Sequence, residues 1–124
     1  MSRKKVMVVD DEENVLDLVG MILEVEGYEV SKANDGIECL DTIEEVNPDL
    51  VLLDVRMPGM NGWIVFEKLK ENPRTRDIPV AMLTVMAHPR DRERALNELG
   101  VDDYITKPFA PDDLVRRVQK LLSA

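Results

Sequence analysis

At 124 residues with 44% hydrophobic side chains, the chain is sized for one domain with a single well-filled core. Its net charge of −9, from 16 basic and 25 acidic residues, offers no basic footprint for a phosphate backbone and argues against nucleic acid as a direct partner. One cysteine, Cys39, excludes an internal disulfide framework and fits a reducing, cytoplasmic compartment, while no apolar stretch approaches the roughly 20 residues of a membrane span and no signal-like run follows Arg3-Lys4-Lys5.

Along the chain, short apolar runs alternate with stretches of helical period. The first run, 5–9, stops at Asp10-Asp11. From 12 to 26, Val15, Leu18, Val19, Ile22 and Leu23 recur at three- and four-residue spacing on one helix face, and Gly27 closes the segment. A second run at 28–32 leads into a weaker stripe across 36–46 (Ile37, Leu40, Ile43, Val46), opened by Asp35 and Glu38 at capping-box spacing and broken at Asn47-Pro48. The third run, 50–53, stops at Asp54; Asn61 can cap a helix over 62–71, which Asn72-Pro73 ends. A fourth run, 79–83, meets Thr84 and then a helix over 90–99, where Ala95, Leu96 and Leu99 follow the charged Arg90-Asp91-Arg92-Glu93-Arg94 and Gly100 stops it. The fifth, 103–106, ends at Lys107-Pro108; in the last helix, 111–122, Pro111, Asp112 and Asp113 suit the first turn and Leu114, Val115, Val118, Leu121 and Leu122 form the apolar face.

Five such units without a linker or repeat predict a single α/β domain spanning 1–124: a doubly wound parallel sheet covered by helices on both faces. The runs at 6–9 and 50–53 are the most uniformly apolar and should be central. Sites on such sheets lie beyond the carboxyl ends of the strands, near the point where strand order reverses. Asp10, Asp11 and Asp54 would converge there with Lys107.

Converging carboxylates are costly unless a cation neutralises them, which points to a metal-dependent phosphoryl site. Asp11 alone could serve as a helix cap, but one carboxylate would suffice for that. Hard oxygen ligands suit Mg²⁺, or Mn²⁺, which usually takes one or two protein carboxylates plus phosphate oxygens. Asp54 is not needed as a turn former, because Pro58-Gly59 and Asn61-Gly62 already supply the turns. Beside a bound cation it is free to act as a nucleophile and take up a phosphoryl group as an acyl phosphate. Lys107 would add a point charge and Thr84 a hydroxyl to the same group.

The motifs Val8-Val9-Asp10-Asp11-Glu12, Leu52-Leu53-Asp54-Val55-Arg56-Met57-Pro58-Gly59-Met60-Asn61-Gly62, Leu83-Thr84 and Asp102-Asp103-Tyr104-Ile105-Thr106-Lys107-Pro108-Phe109 make the chain resemble a response-regulator receiver domain of two-component signalling from Val6 to Leu122. The resemblance implies a flavodoxin-like (βα)5 fold with strand order 2-1-3-4-5. It implies that Asp54 accepts a phosphoryl group from a histidine kinase or phosphotransfer protein. It implies that Asp11, Asp54 and the backbone carbonyl of Arg56 ligate Mg²⁺ directly, with Asp10 acting through water. Lys107 and Thr84 match the phosphoryl-binding switch residues, Tyr104 the aromatic that swings inward, and Lys107-Pro108 a cis peptide. The implied partners are that kinase, a downstream target or effector domain, and a second copy in a phosphorylation-dependent homodimer.

One position departs from the family. Val85 stands where Ala, Gly or Ser is usual after the threonine, and a β-branched side chain there should narrow access and slow phosphotransfer or hydrolysis. Arg56 and Met86 occupy positions that vary across the family and tune the phosphorylated lifetime. His88 before Pro89 reads as a structural residue, Trp63 as packing or a partner contact, the seven methionines as gap-fillers, and Tyr104 in one state as a half-buried strand aromatic. The 90–94 run, with Asp102, Asp103, Arg116 and Arg117, could form a docking surface. The last helix coincides with the chain's end, so no effector domain is expected within it. Two other functions compete. An aspartate-nucleophile phosphohydrolase would need a second acid where Arg56 stands, and a cofactor binder would need a Ser-, Thr- or Gly-rich loop where Asp10-Asp11-Glu12-Glu13 stands. A phosphorylation-independent interaction module is the remaining alternative.

Overall fold

The computed structural model describes residues 3–123. Five strands form one sheet: β1 (Lys5–Val9), β2 (Glu29–Ala33), β3 (Leu50–Leu53), β4 (Val80–Thr84) and β5 (Asp103–Thr106). All pairings are parallel and the order is β2-β1-β3-β4-β5. The flavodoxin-like order and the interior position of the two most apolar runs are therefore as expected. β3 and β4 are buried along their whole length, as strands covered on both faces require, and this is why they read as continuous apolar runs instead of alternating ones.

Alternate residues of the strands feed two separate layers. Met7, Val9, Val51, Leu53, Met82 and Tyr104 pack with Cys39 and Ile43 of α2 (Gly36–Val46) and Val65 and Leu69 of α3 (Gly62–Glu71). Val6, Val8, Leu50, Leu52, Leu83 and Ile105 pack with Leu16, Val19 and Leu23 of α1 (Glu13–Val25) and Leu114 and Val118 of α5 (Pro111–Leu122). Cys39 is a core residue; burial pushes its thiol up to about 12, leaving no reactive thiolate.

The helix ends follow the punctuation. Asp35 accepts from the Glu38 N–H at 2.8 Å while Glu38 reaches back to the Asn34 N–H at 3.0 Å. Asn61 accepts from the Ile64 N–H at 3.0 Å. Gly27 and Gly100 hold φ of 95° and 79°, and Asn47 stops α2 at φ 50°. The expected continuous helix over 90–99 is instead a short α4 (Pro89–Glu93) followed by a π-helical segment, Arg94–Leu99. The charged run gives α4 no residue to bury, and the π segment buries only Ala95, so little packing enforces a regular helix. His88 caps α4, its Nδ1 accepting from the Arg90 N–H at 3.0 Å.

β5 is an edge strand, and at Tyr104 its free edge is covered by side chains. The Tyr104 N–H donates to Asp103 Oδ1 at 2.8 Å, and its carbonyl accepts from Arg92 Nη1 at 2.7 Å. No helix among the described residues is long and apolar enough to cross a membrane.

Candidate functional site

β1 and β3 are neighbours in register, Val9 opposite Leu53, with β2 on the other side of β1. The sheet ladder then carries two carboxylates to its edge: the Asp10 N–H bonds the Ala33 carbonyl at 3.1 Å and the Asp54 N–H bonds the Val9 carbonyl at 3.0 Å. This is where strand order reverses, the crevice at which open α/β sheets place ligands. Carboxylate oxygens of Asp10, Asp11 and Asp54 come within 4.8 Å of one another. From the far side of the sheet, Lys107 is held by its N–H to the Thr84 carbonyl at 2.8 Å and reaches both buried acids.

The four groups are not equivalent. Asp10 is 1% exposed and tightly held, with one oxygen accepting Lys107 Nζ at 2.6 Å and the other the Glu12 N–H at 2.9 Å. Asp54 is 4% exposed but loosely held, at 3.4 Å from Lys107 Nζ and 3.3 Å from the Arg56 N–H. Asp11 is exposed and caps nothing: the N-cap of α1 is Glu12, and the nearby free N–H is taken by Asp10. Burial raises the Asp54 pKa; the Lys107 charge opposes that rise and Asp10 adds to it. Burial alone would lower Lys107, but the bond it donates to Asp10 and the charge of Asp54 hold it raised. Lys107 therefore already offsets one of the two buried negative charges before any phosphate arrives. What remains is a negative, oxygen-lined edge open to solvent at Asp11, which fits a small hard cation.

Thr84 ends β4 and is fully buried; its Oγ1 accepts from the Met86 N–H at 3.2 Å. Tyr104 is fully buried, not half-buried, and its hydroxyl donates to the Met86 carbonyl at 2.7 Å. Burial first, and then the charge of Asp91, raises its pKa, so the phenol is neutral and donates. One residue, Met86, thus links the threonine through its N–H to the aromatic through its carbonyl. Lys107-Pro108 is cis. Val85 is 51% exposed. A crevice of about 540 Å³ beside Asp54 is lined by Val55, Arg56, Met57, Pro58, Asn61, Trp63 and Met86.

Sequence reasoning passed over a close approach behind Asp54. Gly62 donates its N–H to the Val55 carbonyl at 2.8 Å, and a Cβ on Gly62 would lie 2.2 Å from the Asp54 carbonyl oxygen. A glycine directly after the Asn61 cap, where glycine weakens a helix, was the available signal. Away from the edge, Arg117 pairs with Asp103 at 2.8 Å and with Asp113 at 2.9 Å, and Arg116 also pairs with Asp113.

Comparison with known proteins agrees with this architecture. Residues 6–119 match the family model "Response regulator receiver domain". The chain is 41% identical over 119 residues to the phosphate regulon transcriptional regulatory protein PhoB of Escherichia coli, covering 96% of this chain and 52% of that protein. It is 38% identical over 118 residues to the DNA-binding dual master transcriptional regulator RpaA of Synechocystis, covering 95% of this chain and 48% of that one. The chain thus spans about half the length of these curated relatives. Among solved structures, chemotaxis protein CheY4 of Vibrio cholerae superposes with a TM-score of 0.90 at 30% identity, covering 98% of this chain and 100% of that one. A putative response regulator from Chloroflexus aurantiacus gives 0.92 at 32%, covering 99% and 100%. Fold, acidic strand ends and these matches together make the chain a member of the response-regulator receiver family, whose domains are signalling switches and not turnover enzymes.

Proposed function

We propose that Asp54 is the phosphoacceptor of a two-component switch spanning the whole of 1–124. The observation that carries this is the state of its carboxylate: almost completely buried at a strand end, yet held only by bonds of 3.3 and 3.4 Å. A poorly solvated carboxylate with its lone pairs weakly engaged suits a nucleophile better than a structural acid. An Asp54 oxygen attacks phosphorus, the P–N bond of a donor phosphohistidine breaks, and the histidine nitrogen keeps the electron pair. Hydrolysis later returns the carboxylate and releases inorganic phosphate. Asp11, Asp54 and the Arg56 carbonyl would hold Mg²⁺, or Mn²⁺, directly, and Asp10 would support it at one remove. The bound ion would supply positive charge against the carboxylates and the incoming phosphoryl oxygens. Lys107 shifts from Asp10 toward the new anion, and the Thr84 hydroxyl turns to it, releasing the Met86 N–H.

Because Tyr104 grips the carbonyl of the same residue, Met86, that release reaches 85–106 and the face formed by α4, β5 and α5. Its readers are a downstream protein, an effector domain or a second copy, with the chain working in the cytoplasm. Incubation with Mg²⁺ and acetyl phosphate should add one phosphoryl mass on Asp54, and Asp54→Asn should abolish it. Absence of the mass with every donor, histidine kinases included, would sink this reading in favour of a phosphorylation-independent interaction module.

A further inference from the structure

We infer that the start of α3, and Gly62 in particular, is a positioning device for the phosphoryl site, holding the 54–56 backbone from behind. The inference rests on the proposed role of Asp54 and adds residues that have no part in the chemistry itself. A Cβ built on Gly62 meets three atoms that cannot rotate away: the Asp54 carbonyl oxygen at 2.2 Å, the Val55 Cα at 2.8 Å and the Asp54 carbonyl carbon at 3.0 Å. The same residue donates its N–H to the Val55 carbonyl at 2.8 Å. Helix and loop are thus pressed together backbone to backbone, at the Asp54–Val55 peptide that follows the acceptor.

The consequence runs directly into the site. Asp54 Oδ1 accepts from the Arg56 N–H at 3.3 Å, so acceptor side chain and loop move together. Two of the direct ligands proposed for the cation, Asp54 and the Arg56 carbonyl, flank Val55, whose backbone Gly62 contacts and holds by a hydrogen bond. Any side chain at 62 must displace that peptide, because backbone cannot yield as a flexible side chain does. Asn61 contributes by fixing the first turn of α3 through the Ile64 N–H at 3.0 Å. Gly36, at the start of α2, also abuts a neighbour, but the contacts are side chains, Val65 Cγ2 at 2.6 Å and Met60 at 3.3 Å, and not the backbone of the acceptor.

That pairing gives a matched experiment. Trp63 is the chain's one tryptophan and lines the crevice with Arg56, so its fluorescence can follow a MgCl₂ titration of Gly62→Ala and Gly36→Ala. Thermal melts and phosphorylation by acetyl phosphate at saturating Mg²⁺ are recorded on the same samples. Gly62→Ala should weaken Mg²⁺ by about tenfold and slow phosphoryl uptake by about tenfold even at saturation. Gly36→Ala should lower the melting temperature and leave both unchanged. Should Gly62→Ala not fold, Asn61→Ala and Asp35→Ala repeat the comparison by removing the caps of α3 and α2: only Asn61→Ala should weaken Mg²⁺. Equal Mg²⁺ affinities across the pair that folds would overturn the inference, leaving Gly62 a packing residue. Failure of the wild type itself to bind Mg²⁺ or take up phosphate would instead overturn the function on which it rests.

Discussion

At the residue scale, Asp54 sets stability against chemistry. Its pKa is raised mainly by burial, so the folded state binds its proton more tightly than the unfolded chain does. This favours folding below the unfolded value of about 3.9, and the benefit is lost as pH rises through the raised value. At neutral pH, in the absence of metal, the ionised carboxylate therefore weakens the fold. Asp54→Asn should stabilise the metal-free protein by about 1 kcal/mol. Its margin over wild type should widen from about pH 4 upward and then level off, as paired thermal melts across pH will show. A margin that shrinks with rising pH would mean that the Lys107 charge outweighs burial. Val85, half exposed beyond β4, is a separate matter: Val85→Ala should speed phosphoryl uptake or loss, and unchanged rates would remove it from the site.

At the scale of elements, local patterns were legible where the cause is local. Apolar runs ending in Asp10, Asp54 and Thr84 lie on strands that parallel pairing brings to one edge, and the caps at Asp35 and Asn61 stand where their spacing put them. Asp35→Ala should cost about 1 kcal/mol in urea denaturation. The irregularity of 94–99 was not legible, because it reflects what the segment fails to bury. Nor was Gly62, whose neighbour Asp54 is separated from it by a loop. Tyr104 was misjudged as half-buried because its environment depends on Arg92 of α4 and the Met86 carbonyl, neither of which is visible in the period-two pattern of β5. The convergence of the acids could be anticipated; that Lys107 rests on Asp10, 0.8 Å closer than on Asp54 (2.6 against 3.4 Å), could not.

For the whole molecule, the excess of acid has, among the described residues, one place where it is concentrated and partly buried, so a divalent cation should be a stabilising ligand of the folded state only. At about a hundredfold over Kd, Mg²⁺ should add about 2.7 kcal/mol, a rise of roughly 10 °C in Tm for a chain of this size. Asp11→Asn should remove most of that rise while barely altering the metal-free melt, because Asp11 is exposed and bonds to nothing else among the described residues. An equal rise in both proteins would place the cation elsewhere.

The guanidinium of Arg92 at the rim of β5 bears on colloidal behaviour. A strand at the end of a sheet presents unpaired backbone groups to any chain that can extend the ladder, and such rims are starting points for self-association. Here the Tyr104 carbonyl is occupied by Arg92 and its N–H by Asp103, so a sixth strand has no purchase at the middle of β5. Arg92→Ala reopens the acceptor without touching the acidic cluster. The variant should scatter more light than wild type in concentrated solution at equal melting temperature, and a clear solution would show that charge repulsion alone keeps the molecules apart.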